Sequence, residues 1–177
     1  IATAYFMGKG VKYETDDSDY KERIDEILDG NYTDSHNFEE AKEMSIAGVS
    51  YELLYIDMDG NLKTTFLKAF EVIPVFAGQT GRFLSMALRI YAENDLDGNA
   101  SSYADVYTKT EIITFHGTAG GWQETKRRVH LFEDVPIIIR RNNSERKSDF
   151  EDVITLVDAY DRSQSDTMND MDYFTDA

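Results

Sequence analysis

Cysteine is missing from the 177 residues, which excludes disulfides and thiolate metal centres and fits a reducing, cytosolic origin. Proline is nearly missing. Its two copies, Pro74 and Pro136, mark places where a strand must lie at a sheet edge or be interrupted. Long apolar runs are lacking as well: Val135 to Ile139 is typical, far short of the about 20 residues a membrane-spanning helix needs. Neither a span nor a signal-peptide core is present, and no membrane partner is expected.

Positive charge is the other scarcity. Against 18 basic residues stand 34 acidic ones, a formal net charge of -16 at pH 7, so the surface repels copies of itself and repels phosphates. Gripping DNA by neutralising its backbone is therefore not the work of this stretch as a whole. What is plentiful is apolar mass: a hydrophobic fraction of 41% suffices for one substantial core but hardly for two, so residues 1–177 are expected to form one domain. Ile1 in place of Met, and an amphipathic pattern still running at Tyr173 and Phe174, suggest a piece of a longer polypeptide.

Periodicity predicts an α+β fold with helices in 1–48, an antiparallel β-meander in 49–141 and a long helix in 148–177. Ile1 to Met7 reads as a helix end stopped at Gly8-Lys9-Gly10. Tyr20, Ile24, Ile27 and Leu28 have helical spacing up to Gly30. Thr33, Asp34 and Ser35 offer N-cap oxygens to a second helix ending at Gly48. Val49–Asp57 and Leu62–Leu67 flank Asp59-Gly60 as a hairpin. Further strands are expected at Phe70–Phe76, Phe83–Glu93, Ser102–Thr108, Glu111–His116, Trp122–Phe132 and Val135–Arg140. Ser148 and Glu151 have capping-box spacing for the last helix. Along it, Phe150, Val153, Val157, Tyr160, Gln164, Met168, Met171 and Phe174 make an apolar stripe that needs a partner.

The charges are polarised. Residues 149–177 hold nine acids against Arg162, a net of -8, while Lys126, Arg127, Arg128, Arg140, Arg141, Arg146 and Lys147 gather just upstream. Such polarity suits head-to-tail packing of subunits, with Lys126, Arg127, Arg128, Arg140 and Arg141 meeting Asp158, Asp161 and Asp166 of the next copy. The plain alternative is a set of solvated faces with local ion pairs.

Catalytic and metal motifs fail on spacing. Asp57-Met58-Asp59-Gly60-Asn61 and Asp95-Leu96-Asp97-Gly98-Asn99 look like calcium loops, yet Gly is fourth and the twelfth positions are Lys68 and Val106; Asp-Gly hairpin turns explain both. Gly117-Thr118-Ala119-Gly120-Gly121 lacks the Gly-Lys-Ser/Thr of a phosphate loop and reads as a flexible loop. His36, His116 and His130 show no zinc spacing and no triad pattern. The best enzyme candidate is Glu145-Arg146-Lys147 following Asp134, the outline of a metal-dependent nuclease, but these residues fall in a turn rather than on adjoining strands. No catalytic residue, cofactor or metal is expected.

Several ordered segments carry a resemblance. Tyr5-Phe6-Met7-Gly8-Lys9, then Lys42-Glu43-Met44-Ser45-Ile46-Ala47-Gly48 with Tyr51-Glu52-Leu53-Leu54-Tyr55-Ile56-Asp57, then Glu71-Val72-Ile73-Pro74-Val75 come first. Val106-Tyr107-Thr108 with Glu111-Ile112 follows, and the end is stronger: Asn142-Asn143-Ser144-Glu145-Arg146, Ser148-Asp149-Phe150-Glu151, Leu156-Val157-Asp158-Ala159-Tyr160-Asp161 and Ser165-Asp166. Together they resemble the portal proteins of tailed bacteriophages, in particular the type of long-tailed phages of Gram-positive bacteria. Two positions depart from that pattern: Gly10 stands where Pro often follows the early Gly-Lys, and Lys68-Ala69-Phe70 replaces a Pro-bearing turn.

The resemblance implies the outer wing region of a portal, with stem, clip, channel loop and crown following Ala177. It also implies a structural role: a ring of roughly a dozen copies at one capsid vertex, assembled in the host cytoplasm and carried in the virion. The implied partners are the terminase large subunit, head-completion or adaptor proteins, scaffolding proteins, and double-stranded DNA passing through without sequence-specific binding. By itself the chain is expected to be mostly monomeric, because its last helix lacks the stem beside it. A cytosolic scaffold or adaptor module is the alternative, with the nuclease a distant third.

Overall fold

The computed structural model describes residues 2–78, 83–94 and 98–175. Three helices come first: α1 (Ala2–Met7), α2 (Ser18–Gly30) and α3 (Thr33–Ala47). Asp17 caps α2, its carboxylate accepting from the Tyr20 amide at 3.0 Å. Asn31 closes the same helix and ties it to the next strand: its Nδ2 donates to the Ile27 and Leu62 carbonyls, and its Oδ1 accepts from the Thr64 amide at 2.8 Å.

The start of α3 departs from expectation. Tyr32 takes the N-cap position in the left-handed region (φ 50) without a side-chain cap, and the Thr33 hydroxyl donates back to the Leu28 carbonyl. The chain turns so sharply between α2 and α3 that Thr33, Asp34 and Ser35 are already inside the helix. Its end is as expected: Gly48 adopts φ 76, and its amide donates to the Met44 carbonyl.

Among the described residues eight antiparallel strands follow, and they form two sheets rather than one. β1 (Val49–Ile56), β2 (Leu62–Leu67) and β8 (Ile137–Arg141) make a three-stranded sheet in the order β2-β1-β8. β3 (Val72–Ala77), β4 (Phe83–Asn94), β5 (Ala100–Tyr107), β6 (Glu111–Thr118) and β7 (Gly121–Val129) make a five-stranded meander in chain order. The chain leaves the first sheet after β2 through a 3₁₀ turn at Ala69–Glu71, builds the meander, and returns to pair β8 with β1. The first two residues of the expected Phe70–Phe76 strand belong to that turn. Residues 130–132, expected to extend β7, lie beyond it.

Both prolines obey the edge rule. Pro74 is in β3, an edge of the meander, and Pro136 precedes β8, where its carbonyl accepts from the Leu54 amide at 2.9 Å. Asp57 organises the β1–β2 turn by accepting from the Asp59 and Asn61 amides, and Gly60 supplies φ 86. The similar turn at Asp95-Leu96-Asp97 lies outside the described residues. Thr118 to Gly121 is a tight hairpin turn rather than a flexible loop: the Thr118 hydroxyl donates to the Gly121 carbonyl at 2.8 Å.

One core joins the sheets. Tyr51 and Leu53 of β1, Leu67 of β2, Val72, Ala87, Tyr107 and Ile112 of the meander, and Val135 and Ile137 pack as a continuous buried cluster. Beside it, Asp105 is buried and satisfied: its carboxylate accepts from Thr114 at 2.6 Å and from the Tyr107 and Tyr91 hydroxyls at 3.3 and 3.4 Å.

The last helix starts later than the capping box suggests. A 3₁₀ turn at Glu151–Val153 comes first, and α4 runs over Ile154–Thr175. Ser148 joins this turn through its carbonyl, which accepts from the Glu151 amide. Its neighbour Asp149 anchors the segment instead: the carboxylate accepts from the Ser45 hydroxyl at 2.6 Å and from Asn142 Nδ2 at 2.7 Å, while the Asp149 amide donates to the Ser45 carbonyl. Those donors hold the Asp149 carboxyl below its ordinary range.

Candidate functional site

The basic residues that cluster in sequence separate in space. Lys126, Arg127 and Arg128 lie on β7, the far edge of the meander, where every residue is exposed. Arg127 bridges Glu111 at 2.8 Å and Glu124 at 3.0 Å, and these bonds raise its pKa further. Arg140 and Arg141 lie on β8 of the other sheet. Arg146 sits in the loop after β8 with φ 60 and stacks its guanidinium over Phe76 at 5.7 Å. Asp158, Asp161 and Asp166 are on α4, which is exposed throughout its described length and packs substantially only against the 3₁₀ turn before it. Phe150, Val157, Tyr160 and Met168 of the stripe are exposed.

Arg140 makes contacts within the chain. Its Nε lies 2.6 Å from Glu40 Oε2, and its Nη2 donates to Glu52 Oε2, so its charge is committed inside the chain. His36 Nε2 lies 3.3 Å from Glu52 Oε1, and the Ser50 hydroxyl donates to Glu40 at 3.4 Å. This cluster pins α3 to β1 and β8. Glu40 and Glu52 side chains are only 2% and 8% exposed, whereas Arg140 reaches solvent at 40%. Burial pushes the Glu40 carboxyl up in spite of Arg140. Burial acts the same way on Glu52, but the contacts from His36 and Arg140 outweigh it and hold that carboxyl below its usual range.

His36, Glu40 and Glu52 each place one ligand-type atom within 4.8 Å of the others, a donor set that suits a divalent ion in outline. The guanidinium of Arg140 already lies against both carboxylates and is the cation of this cluster. Histidine spacing alone missed the grouping. His36 and Glu40 are four apart on α3 and so share a face, a visible signal; Glu52 and Arg140 join them only through β1–β8 pairing.

The residues of the nuclease outline make ion pairs at the surface. Asp134 pairs with Lys109 at 3.3 Å, and Lys147 pairs with Glu145 at 3.1 Å and Asp152 at 3.2 Å on the surface. Lys147 is thus engaged by the approach to α4. The His116 ring lies tilted against that of Tyr103, with ring centroids 5.1 Å apart, and the amide of Phe132 donates to Nδ1 of His130. Both are ordinary structural histidines. An open groove of about 720 Å³ lies between residues 11–14 and α2–α3, lined by Lys12, Lys21, Asp25, Asp29 and Asp34 with a few apolar neighbours.

Comparison with known proteins decides the family. The family described as "Phage portal protein, SPP1 Gp6-like" matches residues 1–177. The chain belongs to this portal family. It is also 30% identical over 186 residues to the portal protein of Bacillus phage SPP1, an alignment covering 97% of this chain and 37% of that protein. This portal chain therefore spans 37% of the length of that relative. The segments that carry the resemblance fall at the end of α1, the α3–β1 junction, β3, the β5–β6 hairpin, the approach to α4 and the first half of α4.

Proposed function

We propose that this chain is a structural part of a phage portal, the ring at one capsid vertex through which DNA enters and leaves. The family match over the whole chain carries the reading. Two physical features support it. α4 exposes an apolar stripe along 22 residues, which a lone particle has no reason to keep in water. A net charge of -16 suits a conduit, because every additional phosphate contact strengthens binding and slows a sliding duplex.

The intact protein would assemble by repetition of one contact, using Lys126, Arg127 and Arg128 on one flank and Asp158, Asp161 and Asp166 on the other. Terminase, head-completion and scaffolding proteins are its partners on this reading, and energy for moving DNA comes from the motor rather than from this chain. No residue is assigned catalysis. Electron microscopy of the full-length polypeptide tests the proposal: closed rings with a central hole are expected, and uniformly dispersed monomers would refute it in favour of an adaptor module.

A further inference from the structure

Strand alternation sorts β1 into two faces. Tyr51 and Leu53 enter the core, while Ser50 and Glu52 turn toward α3, where His36 and Glu40, four residues apart, share one side of the helix. Arg140 of β8 is registered opposite Ser50 and reaches the same space. Two carboxylates there, 2% and 8% exposed, share a single guanidinium. With His36 neutral, one negative charge is left over, and buried charge without compensation is costly.

The fit of that guanidinium is incomplete. Its Nη2 donates to Glu52, but its Nε faces Glu40 Oε2 at 2.6 Å without hydrogen-bond alignment, and neither of those two atoms has a hydrogen-bond partner among the described residues. His36 Nε2 is in the same condition: the side chain is only 10% exposed and the ring nitrogen faces Glu52 Oε1 at 3.3 Å, yet no hydrogen bond joins them. A ring nitrogen and a carboxylate oxygen that converge without sharing a proton are spaced as two ligands of one ion are. At metal–ligand lengths of about 2.0–2.2 Å and tetrahedral angles, such atoms lie about 3.3–3.6 Å apart.

We propose that His36, Glu40 and Glu52 form a site for a divalent transition-metal ion of the zinc type, which displaces Arg140 from Glu40. Each of the three residues offers one ligand atom, and those atoms lie within 4.8 Å of one another. An imidazole beside two carboxylates suits such an ion better than magnesium or calcium, which favour oxygen alone. Its two charges also match both carboxylates, which one guanidinium cannot. Arg140 is able to yield: it is 40% exposed, on an edge strand, with solvent to receive its head group. The exchange changes which elements are tied. Arg140 fastens β8 to α3, whereas the ion fastens α3 to β1 and returns the Arg140 charge to the surface of β8.

Isothermal titration of the chelator-treated 177-residue chain with zinc chloride tests the site. One tight ion per chain is expected above a weak background from surface acids. Arg140→Met removes the competing cation and should bind that ion about tenfold more tightly or better. His36→Gln and Glu52→Gln should each lose it, with far-UV circular dichroism checking that they fold, and Asp158→Asn with Asp161→Asn on exposed α4 should keep it. The parent supplies a readout that needs no variant: in ¹⁵N spectra of the imidazoles, zinc should shift Nε2 of His36 and leave His116 and His130 in place. Absence of a tight ion from both the parent and Arg140→Met would overturn the proposal. So would tight binding that survives His36→Gln, zinc shifts confined to His116 or His130, or weaker binding by Arg140→Met than by the parent.

Discussion

Replacing Arg140 by Met tests the buried charged cluster most directly. The guanidinium lies against Glu40 and Glu52, whose side chains are 2% and 8% exposed, so its removal leaves two carboxylates without their cation. Breaking a buried ion pair on one side costs about 3–5 kcal/mol; because Arg140 is itself 40% exposed, the lower part of that range, about 3 kcal/mol, is expected at neutral pH. For a chain of 177 residues that corresponds to a fall of about 6–12 °C in Tm. Urea unfolding followed by far-UV circular dichroism gives the free energy directly. Neutralising the acids as well, with Glu40→Gln and Glu52→Gln, should recover most of the loss, since the penalty is orphaned charge rather than lost packing. The deficit of Arg140→Met should also shrink as pH falls through the carboxylate range and the orphaned acids take up protons. A variant within about 1 kcal/mol of the parent at pH 7, or one whose deficit ignores pH, would refute the reasoning.

Other outcomes follow from the same structure. Glu40 titrates above its ordinary value when folded, so protonation favours the fold: the parent should gain stability relative to Glu40→Gln as pH falls from neutrality through the raised value, with the gain complete below the ordinary one, measured by urea unfolding across pH. Gly48→Ala should destabilise by more than about 2 kcal/mol in the same assay, because φ is 76 and a Cβ there collides with the backbone carbonyl of Arg146. Asp105→Ala should cost about 2–4 kcal/mol by leaving the Thr114 and Tyr107 hydroxyls in the interior without their acceptor, and a loss under 1 kcal/mol by calorimetry would contradict that. Met168→Ser on exposed α4 should leave the Tm of the isolated chain within about 2 °C while reducing ring yield of the full-length protein in electron micrographs.

Local chemistry made much of this architecture readable. Asp59-Gly60 between two apolar runs announced the first hairpin, Gly48 announced the end of α3, and the stripe from Val153 to Phe174 announced a helix in need of cover. Long-range pairing was not readable. β8 returns to β1 after the whole meander, so the division into two sheets, and with it the meeting of Arg140 with Glu40 and Glu52, depends on contacts that no sequence window spans. Tyr32 escaped for another reason: a large residue in the left-handed region is set by how α2 and α3 abut, not by its own preference. Ser148 and Glu151 had the right spacing for a cap, yet the docking of Asp149 onto Ser45 and Asn142 pulled that turn into a 3₁₀ form and moved the helix start downstream.

That docking has a mechanical consequence. Because α4 is secured mainly at its first turn, it behaves as a lever on a fulcrum made by Asp149, Asn142 and Ser45 at the α3–β1 junction. A tilt of a few degrees at the fulcrum, carried along about 33 Å of helix, moves the far tip by a few ångströms. Where the tip points is thus decided by three small polar side chains at the opposite end.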